Sequence, residues 1–316
     1  MTAGRIDTVS IIGLGAIGSS YSAKISDKIH PENIRVIASG TRAEHYKASG
    51  VTVNGVKYFF PVYAPDDDVD PADLLIFAVK SYNLREAISA AVRHLGPDTI
   101  VLSLLNGITS ERIIRDSYGT EGVLYSVVMG VDATRTDGGT SYSTLGVIPF
   151  GEARNEPGAF SNRVKLVAEF FERTGIAYEI PLDMTNTLWK KFMINVGANQ
   201  ISAILRAPYG ILQQTRDARE LVVSAMKEVL ALAPSEGVNL TERDIDDCLA
   251  ILDRLSPVGK TSMLQDVEAC RPTEVDIFAG TVLELGQKHN VQVPLNSILF
   301  RMIRALEGSY QRCLRK

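Results

Sequence analysis

Val9-Ser10-Ile11-Ile12-Gly13-Leu14-Gly15-Ala16-Ile17-Gly18 is the stretch whose reading decides the fold. Its first four residues form a short run rich in β-branched residues, which predicts a strand. Residues 19–28 after it predict a helix. Between the two stands G-x-G-x-x-G. In that setting the first glycine permits a tight turn and the second lets the backbone approach a pyrophosphate. The third lets the helix pack on the sheet with its N–H groups turned to the phosphate. A glycine-rich turn without a ligand would show the same letters. The candidate cofactor-binding residues here are Gly13, Leu14, Gly15, Ala16, Ile17 and Gly18.

Outward from this loop the α/β alternation continues. A second strand is expected at 34–38, followed by Ser39-Gly40-Thr41-Arg42. An NAD-specific fold usually carries an acid at this point for the ribose hydroxyls. None is present, and Arg42 with Ser39 and Thr41 points to a 2′-phosphate, hence NADP. Arg42 fits a solvated position at a helix start as well. Residues 50–64 predict a hairpin-like insert around Asn54-Gly55. Asp66-Asp67-Asp68 reads as a solvated turn, since it lacks the alternating ligands of a calcium loop. The run 74–79 is apolar throughout, as a parallel strand covered on both faces would be. It ends at Lys80, where ligands of open α/β sheets sit; a snorkelling surface lysine is the plain alternative. A helix over 83–94 and a buried strand over 99–105 follow. The latter ends in Asn106-Gly107, where Asn106 either binds a ligand or makes the turn. Two strands are expected over 122–131 and 140–150 around Asp137-Gly138-Gly139, then a helix over 161–174 and a strand over 177–180.

Past Pro181 the periodicity changes to helix after helix, at about 183–205, 213–236, 241–255, 273–289 and 295–312. The expectation is an α/β Rossmann-type domain over 1–182 followed by an all-α domain over 183–316. Such a pairing places a site in the cleft between the domains. On the first of these helices Lys191, Asn195 and Asn199 fall at i, i+4 and i+8, a polar stripe on one face. Most of the other residues there are apolar, so the stripe needs polar company. A structural network and a ligand site both satisfy that.

Composition excludes several classes. The chain has 316 residues, 45% hydrophobic and 22% charged, with a formal net charge of −4. That argues against a nucleic-acid or anionic-membrane surface. Cys248, Cys270 and Cys313 lie far apart and show no C-x-x-C, so neither a disulfide framework nor a zinc site is expected. His30, His45, His94 and His289 lack ligand spacing and are expected to be solvated or locally bonded. No apolar run reaches the roughly 18 residues a membrane span needs, and residues 1–7 lack a signal-peptide core. A soluble, cytoplasmic protein is expected, with residues 312–316 as a solvated basic tail. The apolar helix faces would serve a homodimer, and a monomer fits them equally.

The motifs, taken together, resemble the ketopantoate reductases (2-dehydropantoate 2-reductases) over nearly the whole chain. The resemblance rests on the glycine loop, Val79-Lys80, Asn106-Gly107, Trp189-Lys190-Lys191 with Asn195 and Asn199, and one long block. That block is Thr261-Ser262-Met263-Leu264-Gln265-Asp266 leading to Arg271-Pro272-Thr273-Glu274-Val275-Asp276. The resemblance implies NADPH-dependent reduction of 2-dehydropantoate to (R)-pantoate, a step toward pantothenate and coenzyme A. It implies Lys191 as general acid and Glu274 as the carboxylate that holds the substrate and supports the lysine. Asn195 and Asn199 would bond substrate hydroxyl and carbonyl oxygens. Ser262 and Asn106 would serve the substrate carboxylate or the cofactor, and Lys80 would lie near the cofactor. One departure stands out. Family members often carry an arginine at or just after the end of the second strand, where this chain has Ser39 or Gly40.

The chemistry stands apart from the name. Hydride addition to a ketone develops negative charge on oxygen, and a positioned lysine can protonate it. No metal cluster is implied. Glu274 alone would also read as part of a helix cap with Thr273 and Asp276. Other readings are a reductase of another 2-oxo acid, a 3-hydroxyacid dehydrogenase of similar architecture, or a catalytically silent NADP-binding protein.

Overall fold

The computed structural model describes residues 4–136 and 138–313, and the side chains as far as Tyr310. Residues 314–316 of the basic tail, the side chains of Arg312 and Cys313, and Asp137 of the Asp137-Gly138-Gly139 turn lie outside the described residues. Contacts divide the chain into two compact units, Met1–Thr185 and Asn186–Lys316.

The first unit is α/β. In order it carries β1 (Val9–Ile12), α1 (Ala16–Ser26), β2 (Ile34–Ile37), α2 (Gly40–Ser49), β3 (Val51–Val53), β4 (Val56–Tyr58), β5 (Val62–Tyr63), β6 (Leu74–Phe77) and α3 (Leu84–Ala91). Then follow β7 (Ile100–Ser103), α4 (Ser110–Tyr118), β8 (Val123–Ser126), β9 (Asp132–Thr136), β10 (Gly139–Thr144), β11 (Ile148–Gly151), α5 (Asn162–Thr174) and β12 (Tyr178–Glu179). Eight strands form one sheet in the order β12-β11-β8-β7-β6-β1-β2-β5. From β5 to β8 all neighbours are parallel. β11 runs antiparallel to β8. The strand order reverses between β1 and β6, which is the doubly wound Rossmann arrangement with its crevice at that switch point. The parallel strands are apolar because helices cover both faces: Val9, Ile11, Leu74, Leu75, Phe77, Val101 and Leu102 are all wholly buried.

The two strands expected over 122–131 and 140–150 are four. Gly130 and Gly146 adopt positive φ, 67° and 70°. A Cβ on Gly146 would lie 1.9 Å from the Met129 carbonyl oxygen. The chain turns out of the main sheet at these glycines. The intervening β9–β10 hairpin joins the β3–β4 hairpin in a second sheet, β4-β3-β10-β9. A run of β-prone residues cannot announce such a change of partner. His94, expected to be solvated or locally bonded, is fully buried, with Nδ1 2.8 Å from Ser10 Oγ on β1.

The second unit is all helical, entered through α6 (Met184–Leu205), whose first two residues fall in the first unit. It continues with α7 (Tyr209–Gln214), α8 (Arg216–Leu232), α9 (Glu242–Arg254), α10 (Ser262–Glu268), α11 (Ala279–His289) and α12 (Pro294–Cys313). Two expected helices are shorter. Thr215 is extended and separates α7 from α8. The helix expected from 273 begins at Ala279, because Phe278 leaves helical geometry at φ −101°, ψ −93°. Only a short 3₁₀ turn, Val275–Ile277, precedes it. The core of the unit is built on α6: Phe192, Met193, Val196 and Ala203 are at most 1% exposed. Gly197 lets α8 come close, since a Cβ there would stand 2.8 Å from Met226 Cγ. Among the described residues no helix is long and apolar enough to cross a membrane.

Candidate active site

The glycine loop has the geometry its spacing predicts. Gly13 sits at φ 98°, and a Cβ there would lie 2.7 Å from the Ala78 carbonyl and from Val79 Cγ1. Only glycine lets the end of β1 approach the end of β6 so closely. A Cβ on Gly18 would meet the Gly13 carbonyl oxygen at 2.0 Å, so α1 packs against the turn that feeds it. Gly15 differs, for nothing stands within 4 Å of its absent Cβ. It occupies the N-cap of α1 and brings no side chain to the helix terminus. An open face at a helix N-terminus is what a pyrophosphate requires. The loop is held from outside as well. Arg135 of β9 donates from Nη1 to the Leu14 carbonyl at 2.6 Å, and Ser19 Oγ lies 2.8 Å from Thr140 Oγ1 of β10. Arg135 escaped the sequence reading because it lies 121 residues away.

A groove runs from this loop along the carboxyl ends of β1 and β2. Gly13 and Leu14, Ala38, Ser39 and Arg42, and Val79, Asn83 and Glu86 line it. Arg42 Nη2 stands 3.6 Å from Glu86 Oε1. The structure therefore brings the glycine loop, Ser39 and Arg42 to one place. Lys80 and Asn106 follow the carboxyl ends of the paired strands β6 and β7, and both are half-buried. Lys80 accepts at its carbonyl from Asn83 N–H and so starts a 3₁₀ turn. Behind the Asn106 turn lies a buried polar cluster. Ser110 Oγ donates to Glu111 Oε2 at 2.9 Å and lies 2.7 Å from Ser103 Oγ. Burial pushes the Glu111 carboxyl up to about 7, against the opposing hydrogen bonds of its own backbone, Ser110 and Ser126 and the charge of Arg115.

In the second unit α6 carries Lys191, Asn195 and Asn199 along one face. The first two are half-buried, and Asn199 is 7% exposed. Lys190, one residue earlier, is an ion-pair partner of Asp244 on α9, at 2.6 Å. The long block from 261 to 276 is pinned at both ends. Thr261 N-caps α10, accepting from Leu264 N–H, and donates to Ser202 Oγ on α6 at 3.1 Å. Thr273 donates its N–H and its hydroxyl to Glu307 of α12, both at 2.7 Å. Just past the second anchor Glu274 is buried, 5% exposed. It stands at the head of the 3₁₀ turn without a side-chain capping bond; Thr273 Oγ1 takes the Val275 N–H instead. Ser262 is exposed at the start of α10, and the bond from α10 to α6 is made by Thr261. Among the described residues no group of three or more His, Cys, Asp or Glu is placed to hold a metal.

Fold and loop define a two-unit chain of Rossmann dehydrogenase architecture. Residues 9–155 match the model of ketopantoate reductase PanE/ApbA, and residues 183–307 match that of the ketopantoate reductase PanE/ApbA C terminal. The chain belongs to the ketopantoate reductase family of oxidoreductases. It is 28% identical to the 2-dehydropantoate 2-reductase of Pyrococcus horikoshii, over 95% of this chain and 97% of that one. A solved ketopantoate reductase of the same family from Ralstonia eutropha superposes with a TM-score of 0.81 at 26% identity, over 96% and 99% of the two chains. The ternary structure of D-mandelate dehydrogenase with NADH and anilino(oxo)acetate shares the fold, with a TM-score of 0.85 at 23% identity over 96% and 99%.

Proposed function

We propose that this chain reduces 2-dehydropantoate to (R)-pantoate with NADPH, and that Lys191 is the general acid. The observation that carries the reading is the α6 stripe of Lys191, Asn195 and Asn199 in the unit that also buries Glu274. Family membership over both units and the names of the relatives support it.

Bound NADPH supplies the hydride, which adds to the keto carbon. The carbonyl π pair then becomes an alkoxide, and Lys191 gives it the proton from Nζ; solvent recharges the lysine. Glu274 holds the substrate and supports Lys191. Asn195 and Asn199 offer neutral donors and acceptors to the hydroxyl and carbonyl oxygens. Ser262 and Asn106 bond the substrate carboxylate or the cofactor, and Lys80 sits by the cofactor. The open face at Gly15 would take the pyrophosphate, and Ser39 and Arg42 would hold the 2′-phosphate.

Purified protein is expected to consume NADPH with 2-dehydropantoate faster than with a panel of other 2-oxo acids. Lys191→Ala is expected to lose about 10²–10⁴-fold in kcat, the range for a positioned acid. Full turnover in that variant overturns the assignment of the acid. Preference for a different 2-oxo acid overturns the substrate, and no turnover with any of them overturns the reductase reading.

A further inference from the structure

Arg42 and Glu86 face each other across the groove at the carboxyl ends of β1 and β2. Each stands in the first turn of its helix, Arg42 on α2 and Glu86 on α3. A helix N-terminus favours an acid and disfavours a cation. Glu86 is therefore compatible with its helix, whereas Arg42 works against its own. Both side chains are more than half exposed, 60% and 67%, and exposed ion pairs contribute little to stability. Folding accordingly does not account for the pair, and its place in the groove does.

We propose that Glu86 is a specificity-determining residue that weakens, without abolishing, this groove's hold on a 2′-phosphate. The inference rests on the reading of the groove as the adenosine end of a dinucleotide site. The acid that an NAD-binding fold carries at the end of its second strand is missing from 38–42. Here it comes from α3 on the opposite wall. A 2′-phosphate bound by Arg42 meets the Glu86 carboxylate as a second negative charge beside the same guanidinium. It shares the guanidinium with that carboxylate and so gains less from it. A ribose with a free 2′-hydroxyl meets no such opposition and can donate to the carboxylate. The groove thus balances one cation against one anion, and selectivity between the two cofactors is set by that balance rather than by Arg42 alone.

The test is calorimetric titration of the full-length protein and of Glu86→Gln with NADPH, with NADH and with 2′,5′-ADP. The last probes the groove without a nicotinamide. Removing one unit charge about 4 Å from the guanidinium in a solvent-exposed setting corresponds to about two- to fivefold in affinity. Kd for NADPH and for 2′,5′-ADP is expected to fall by that factor in Glu86→Gln, while Kd for NADH stays level or rises. Glu86→Lys should move the ratio further in the same direction. Arg42→Ala combined with Glu86→Gln should abolish the gain. Circular dichroism checks that these exposed-site variants keep the fold. If NADPH and NADH both bind and Glu86→Gln leaves their ratio unchanged, the role of Glu86 is overturned and the reading of the groove stands. If neither cofactor binds the unaltered chain, the dinucleotide reading falls and Glu86 with it.

Discussion

Lys190 and Lys191 are chemically identical neighbours set in different surroundings on α6. The Lys190 ammonium lies 2.6 Å from Asp244, which also accepts from Thr241 N–H and Oγ1 at 2.7 and 2.9 Å. Burial alone would push the Asp244 carboxyl up. The hydrogen bonds from Lys190 and Thr241 outweigh it and hold the group below the usual carboxylate range. Lys190 thus ties α6 to the capping box that opens α9. Lys191 lies one helical step, about 100°, round from it, in register with the asparagines. Lys190→Ala is expected to lower stability by about 1 kcal/mol, since the pair is partly screened by solvent, and to leave kcat unchanged. Lys191→Ala is expected to lower kcat as argued above. Denaturant midpoints and turnover measured on both variants separate the two roles, and a loss of turnover in Lys190→Ala with unchanged stability would reverse them. Register with the asparagines, together with the family resemblance, singled out Lys191 in the sequence. The partner of Lys190, 54 positions further on, was not visible there.

Among the elements, α6, α8 and α12 are joined by a buried polar network next to the stripe. Gln200 Nε2 on α6 donates to Asn296 Oδ1 at 3.0 Å, and Asn296 Nδ2 donates to Glu228 Oε2 at 2.8 Å. Glu228 of α8 also accepts from Leu295 and Asn296 N–H at 2.7 and 2.9 Å. A carboxylate from a neighbouring helix therefore satisfies donors at the first turn of α12, which opens with Pro294, a residue with no N–H to lose. Gln200 follows Asn199, so the network holds the end of the stripe in place. Asn296→Ala leaves the buried Gln200 short of a partner, while the half-buried Glu228 keeps its two backbone donors, and about 1–3 kcal/mol of stability is expected to go. Equilibrium denaturation reads this directly, and a loss under about 0.5 kcal/mol would show that the network contributes little. The long helices were legible because a face repeats over several turns, apolar on α8, α9 and α12 and polar on α6. α7 and α10 were not, because helices of 6 and 7 residues carry too few repeats for a period to show. The 3₁₀ turn after Glu274 was misread as the first turn of α11 because threonine and acids suit either.

Across the molecule, the α/β unit holds two buried titratable groups that respond to pH in opposite senses. Neither was legible, because the burial that shifts them is assembled from distant strands. Glu111 titrates at about 7 against its ordinary 4.5, chiefly through burial. Between those values the folded state holds the proton that the unfolded chain has released, so stability falls as pH rises through that window. His94 titrates at about 4 against its ordinary 6.5; burial lowers it first and Arg35 second, while Asp67 opposes them. Between 4 and 6.5 the unfolded chain holds the extra proton, so stability rises with pH. Each shift corresponds to about 3 kcal/mol across its window. From 4.5 to 6.5 the two cancel, and their joint contribution in the unaltered protein is nearly flat. Glu111→Gln removes the falling limb. Its stability relative to the unaltered protein is expected to climb by about 3 kcal/mol between pH 4.5 and 7. His94→Gln is expected to show the reverse, with its relative stability dropping by a similar amount between pH 4 and 6.5. Urea denaturation at half-unit pH steps, taken as the difference from the unaltered protein, isolates each group from the common background. A difference profile without slope in either variant would mean that the group keeps its ordinary pKa in the folded chain, and that the cluster behind Asn106 or the Ser10–His94 pair is open to water.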